Sequence, residues 1–165
     1  MAGRRHLLAR RRRDRGASAV EFALILPVFV LIIAAIVDFG FIFAQQVSLN
    51  NAARDASRTG VVKPLAGNPR QCQQVVTDAR GAMTNTLGLS STTAVSVNVA
   101  GNKTCNAPAG STTVSGSPTE YPCTGGAANQ TVTVTLTYTS QALIPLPYLN
   151  SKVLSAKGVF QCEYS

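Results

Sequence analysis

The sequence predicts an α+β chain: a long N-terminal transmembrane helix followed by a small extracytoplasmic domain with one helix on a three-stranded antiparallel sheet. Three observations carry that prediction. An apolar run extends from Ala17 to about Ala44, with no charged residue between Glu21 and Asp38. Farther on, Cys72, Val76, Ala79, Met83 and Leu87 recur at spacings of three and four, which marks one helical face. Beyond them, apolar residues alternate with polar ones, at Val95, Val97 and Val99 and again from Val132 to Tyr138, which marks half-buried strands. A length of 165 residues allows one small domain plus an anchor.

The net charge of +8 is concentrated at the N-terminus. Residues 1–16 hold seven arginines and one aspartate, and the remaining chain is nearly balanced. These arginines abut an apolar segment rather than a folded reading surface, which excludes a nucleic-acid partner and reads as a topology signal. The basic leader is assigned to residues 1–16, with its side in the cytoplasm. From Glu21 to Asp38 a helix rises roughly 26 Å at ~1.5 Å per residue. The hydrocarbon core is about 30 Å thick, so the two acids bracket a single span of the lipid bilayer. A secretory signal peptide has a shorter apolar stretch followed by small residues. Here the run is longer and its small residues precede it.

The helix is expected to continue past the membrane. Gln45 to Thr59 contains no glycine or proline, and Ala52, Ala53 and Ala56 lie along one side. Gly60 is the expected C-terminal cap, with Pro64 soon after. Residues 17–60 are therefore assigned to the transmembrane and extended helix, and residues 61–165 to the small domain. Pro27 is a candidate kink. Within the domain a linker over 61–70 leads to a helix from Gln71 to about Leu87, closed by Gly88. The strands are expected near Val95–Val99, over Gln130–Thr139 and over Lys152–Glu163. In the last, Leu154, Ala156, Phe160 and Cys162 share a face. Gly101 to Asn129 reads as a long surface loop.

Groups for chemistry are scarce. The single histidine is His6, in the leader, so nothing activates the plentiful Ser and Thr hydroxyls. No metal-ligand spacing, phosphate loop or paired carboxylates occur, so no catalytic residue, cofactor or metal site is assigned and the chain is not expected to be an enzyme. Four cysteines, Cys72, Cys105, Cys123 and Cys162, all follow the span, where disulfides persist. They allow three connectivities. Cys72 sits on the apolar helix face, Cys162 on the apolar face of the last strand, and Cys105 and Cys123 in the long loop. The expected bridges are therefore Cys72–Cys162 and Cys105–Cys123; the alternative is four free, buried thiols.

The most specific pattern is a junction. Gly16 follows the basic leader, small residues Ala17, Ser18 and Ala19 come next, and Glu21 stands at the fifth position of the apolar run. A carboxylate at the start of a membrane segment is costly and signals function. The order resembles the processing site of type IV-like prepilins, and the run from Arg15 to Pro27 resembles the start of TadE-like pseudopilins of tight-adherence (Flp-type) pilus systems. Asn51 to Gly60 resembles the small-residue, arginine-bearing stretch that follows the span in that family. The resemblance covers about the first third of the chain. It implies a membrane-held precursor cut by a prepilin peptidase at Gly16–Ala17. It also implies partnership with other pilins or pseudopilins and with the inner-membrane pilus assembly machinery, and a role for Glu21 in assembly. Glu21 alternatively reads as an acid snorkelling to the interface. The competing reading of the whole chain is a single-pass, membrane-anchored extracytoplasmic binding module, adhesin or sensor-like, with an uncleaved leader.

Overall fold

Helix α1 runs from Arg4 to Val61 in a computed structural model that describes residues 4–63, 67–84, 94–127, 129–144 and 151–164. It starts well before the expected Ala17, because the arginine-rich leader is made of good helix formers. It passes through Gly16 and Pro27 without interruption. Gly60, expected as a cap, is still helical, and the helix ends one residue later. A different device serves the last carbonyls. The Tyr164 hydroxyl donates to the Gly60 oxygen at 3.2 Å and the Glu163 amide to the Val61 oxygen at 3.2 Å. The C-terminal tail thus does what a left-handed glycine does in most helix ends.

The chain divides into two compact units, Met1–Gly40 and Phe41–Ser165. In the second unit, helix α2 spans Cys72–Thr84. Its predicted face is buried through Cys72, Val76, Ala79 and Met83. Leu87 and Gly88 lie outside the described residues. The first turn is tied to the 118–120 segment, since the Cys72 amide donates to the Glu120 oxygen at 2.8 Å and the Gln73 amide to the Pro118 oxygen at 2.9 Å.

The sheet has five strands rather than three: β1 (Val95–Ala100), β2 (Thr104–Ala107), β3 (Ser115–Gly116), β4 (Thr131–Gln141) and β5 (Ser151–Gln161). Every pairing is antiparallel and the spatial order is β3-β2-β1-β4-β5. The two unpredicted strands fall in the stretch read as a loop. They are four and two residues long, and glycine, proline and asparagine around them hide the alternation. β4 pairs on both sides, setting Leu136 opposite Val97 of β1 and Ala156 of β5. Its valines and Leu136 are fully buried, while the threonines between them face outward, as a half-buried strand requires.

One face of the sheet builds the core with α2 and the end of α1. Val95, Val97, Val99, Val132, Val134 and Leu136 meet Leu49, Ala52, Ala53, Ala56, Val75, Val76 and Met83. Small residues let α1 come close. A methyl group added at Gly158 of β5 would lie 2.1 Å from the Ala53 oxygen and 2.4 Å from the Ser57 hydroxyl. Glycine is therefore required there by the approach of a helix backbone. Phe160, expected on the inward face, is 38% exposed near the end of this edge strand.

The disulfides join Cys72 to Cys105 and Cys123 to Cys162, with Cα–Cα distances of 6.2 and 5.9 Å. This corrects the expected Cys72–Cys162 and Cys105–Cys123 pairing. The physical reason is β2: once Cys105 belongs to a strand beside β1, its buried side chain lies under the start of α2 rather than in a loop. Cys123 is then left to reach Cys162 just past the end of β5. Arg80 of α2 is the one buried cation among the described residues, and it ties the same region together. Its guanidinium donates to the carbonyls of Val95, Ala107, Pro108 and Ser111 at 2.8–3.1 Å. Burial pushes its pKa below the ordinary arginine value, and the four acceptors compensate the lost water.

Candidate functional site

The residues singled out for processing and assembly, Gly16, Ala17 and Glu21, lie on one helical stretch in the first unit. Among the described residues nothing lies within 4 Å of where a Gly16 side chain would be, and its backbone is helical. Neither packing nor backbone geometry within this chain demands glycine there. Glycine in a helix interior costs roughly 1 kcal/mol relative to alanine. Gly40 and Gly81 are helical and equally unconfined, so what sets Gly16 apart is its place between the basic leader and the apolar run. Ala17 is helical too, but its side chain lies outside the described residues.

Glu21 is exposed and has no hydrogen-bond or ion-pair partner among the described residues. Its surroundings are apolar on every side of the helix. From Val20 to Val37 the large apolar side chains are between 42% and 73% exposed. Helices apolar all round are buried in large proteins or cross membranes. Here no other described residue covers the surface. Among the described residues one helix, over Ser18–Val61, is long and apolar enough to cross a bilayer, with a mean hydropathy of 2.9 in its most apolar window. The apolar helix thus has the length, composition and exposure of a candidate membrane anchor, with a lone carboxylate near its start.

The structure does not bring the cysteines to these residues. All four belong to the second unit and staple its strands and α2. Among the described residues no group of three metal-ligating side chains occurs.

Residues 16–58 match the family described as TadE-like protein. Over this segment, about a quarter of its length, the chain is similar to TadE-like proteins. The match begins at Gly16 and ends at Arg58, so it takes in the junction, Glu21, the apolar run and the small-residue face of α1 that packs on the sheet. It supports a protein associated with a tight-adherence pilus system. No curated protein and no solved structure matches the chain. The sheet domain, from α2 onward, lies outside the matched residues.

Arg80 and Gly158 escaped the sequence reading. Arg80 had a signal, since it stands four residues after Val76 and three before Met83, on the apolar face of α2. A basic residue at such a position needs partners. Gly158 had a weaker one, an isolated glycine within a strand pattern.

Proposed function

We propose that this chain is a minor pseudopilin of a tight-adherence pilus system, made as a membrane-held precursor and cut between Gly16 and Ala17 by a prepilin peptidase. The observation that carries the reading is the coincidence of three things at one place: the start of the TadE-like match, a glycine with no role in the fold, and an unpartnered Glu21 five residues on. The seven arginines of the leader hold the N-terminus in the cytoplasm and the sheet domain outside. Water adds across the Gly16–Ala17 amide, leaving a carboxylate on Gly16 and an amine on Ala17. The chemistry belongs to the peptidase; this chain supplies the bond and its flanks.

The new α-amino group has an unperturbed pKa of about 8 and is largely charged at neutral pH. In an apolar medium it and a carboxylate attract strongly, and each is costly to bury alone. Glu21 therefore favours insertion beside a neighbouring pilin or pseudopilin whose amine it can meet, in one register. The inner-membrane assembly machinery acts on the processed chain. The test measures cleavage, membrane retention and pilus formation separately in Glu21→Ala and Glu21→Asp. Cleavage and retention are expected to persist in both, with piliation lost in Glu21→Ala and intermediate in Glu21→Asp. Normal piliation with Glu21→Ala would reduce Glu21 to an interfacial acid and overturn its role in partner selection.

A further inference from the structure

An open cleft of about 790 Å³ lies in the second unit, where the last turns of α1, the segment before α2 and the 121 region meet. Its lining is rich in hydrogen-bond donors. Arg58, Arg70, Asn68, Gln71, Gln74 and Tyr121 line it, with one acidic residue, Asp55. Arg70 is partly engaged, with its Nε 3.7 Å from an Asp78 oxygen. The Arg58 guanidinium has no ion-pair or hydrogen-bond partner among the described residues, and neither has the Tyr121 hydroxyl. Asp55 and Arg58, three residues apart on the helix, do not pair with each other.

The walls are fixed before any ligand arrives. The Cys72–Cys105 bridge holds the start of α2. The Glu120 and Pro118 carbonyls accept the first amides of α2 and bring the chain leading to Tyr121 against it. Glu163 and Tyr164 hold the end of α1. A preformed site with unspent donors loses little on ordering when it binds. Because the α2 amides of Cys72 and Gln73 are already used, the attraction comes from the side chains and not from the helix terminus.

We propose that this cleft binds a carboxylate-bearing peptide segment, with the Arg58 guanidinium as its principal counter-charge. A planar guanidinium takes a carboxylate through two parallel bonds. The Gln71 and Gln74 side-chain oxygens already accept from Gln73 Nε2 and the Gln71 amide, which leaves their NH2 groups, with the Asn68 amide, for the backbone carbonyls of an extended peptide. The cleft is open and of mixed polar and apolar lining, with one aromatic side chain, which suits a strand of chain better than an enclosed apolar compound. The proposal does not depend on processing or on pilus assembly, so its test stands apart from theirs.

The test uses the full chain in detergent micelles and a fluorescent peptide, acetyl-Gly-Glu-Glu-Gly-amide, with its Gln-Gln counterpart as control. The acidic peptide is expected to bind at least about tenfold more tightly, and Arg58→Gln to remove about tenfold or more of that affinity. Arg58→Lys should retain part of it, because charge remains without the fork. Arg54→Gln, on the exposed side of α1 outside the cleft, should leave binding unchanged. Arg58 is exposed and unpartnered, so its replacement should leave both disulfides and the circular dichroism spectrum intact; if Arg58→Gln misfolds, Arg70→Gln serves, with a loss of several-fold expected. Equal binding of the two peptides would overturn the proposal. So would wild-type affinity in the cleft variant, an equal loss in Arg54→Gln, or displacement of the peptide by inorganic phosphate at matching concentration.

Discussion

Two stretches of α1 share a helical backbone and differ in what surrounds them. From Val20 to Val37 the helix is apolar on all sides and its side chains are exposed; Leu49, Ala52, Ala53 and Ala56, farther along, are buried in the domain core. The first stretch is a continuous run of large residues, which no single small domain could wrap. The second is a narrow stripe of mostly small residues, which one sheet face covers. The arrangement of apolar residues, more than their number, decides whether a helix is satisfied by its own chain. An all-round surface calls for lipid and neighbouring helices, and a stripe calls for a partner within the fold.

The contrast can be broken most severely by opening the covered region. Replacing both Cys123 and Cys162 by serine should lower domain stability by about 4 kcal/mol, from the chain-entropy value for a loop of this size. Denaturation of the full chain in micelles, followed by circular dichroism, measures it. Peptide mapping without reductant should first recover Cys72–Cys105 and Cys123–Cys162 as the linked pairs.

The same residue type on the two sides sharpens the contrast. Leu136 is fully buried in β4 and Leu24 is 73% exposed in the span. Leu136→Ala should cost about 3 kcal/mol of domain stability, and Leu24→Ala less than about 0.5 kcal/mol. Equal shifts in the domain transition would mean that the span is covered by the chain after all.

Gly158→Ala probes the close approach that the small-residue stripe permits. The added methyl meets the α1 backbone, so the helix must move away from β5. A loss of about 2 kcal/mol is expected, with faster hydrogen exchange at Ala53 and Ser57.

The smallest effect concerns the tail that caps α1. Burial raises the Tyr164 phenol above its ordinary pKa; a backbone hydrogen bond with Cys123 opposes the shift and Tyr121 adds to it. A raised acid favours the folded state while protonated. That stability is complete below the unfolded tyrosine value of about 10 and is lost as pH rises through the higher folded value. Tyr164→Phe should flatten the alkaline end of the stability profile and lower the neutral range by about 1 kcal/mol, the worth of the lost hydrogen bond to Gly60.

Much of this was legible because the strongest physical patterns are local. The period of two in β4 shows because its inner residues are all large and β-branched or aliphatic, and the α2 face shows through spacings of three and four. β2 was illegible because its inward residues, Cys105 and Ala107, are weak apolar signals within a Gly- and Asn-rich stretch. Its pairing with β1 comes from tertiary contact rather than local propensity. The disulfide error followed from that omission, since connectivity depends on which strands are neighbours. Gly16, Ala17 and Glu21 stand out by order and spacing, and the cleavage and piliation measurements decide their roles. The cleft was not, because Arg58, Arg70 and Tyr121 come from distant positions that only the folded chain assembles.

The account rests most heavily on the junction between leader and span. Intact-mass measurement and N-terminal sequencing of the protein, recovered from membranes of cells with an active prepilin peptidase, test it directly. The mature chain should begin at Ala17, and Gly16→Leu should leave the leader attached without changing the sheet domain. A wild-type chain that still begins at residue 1 in those cells would contradict the account and leave an anchored, unprocessed module in its place.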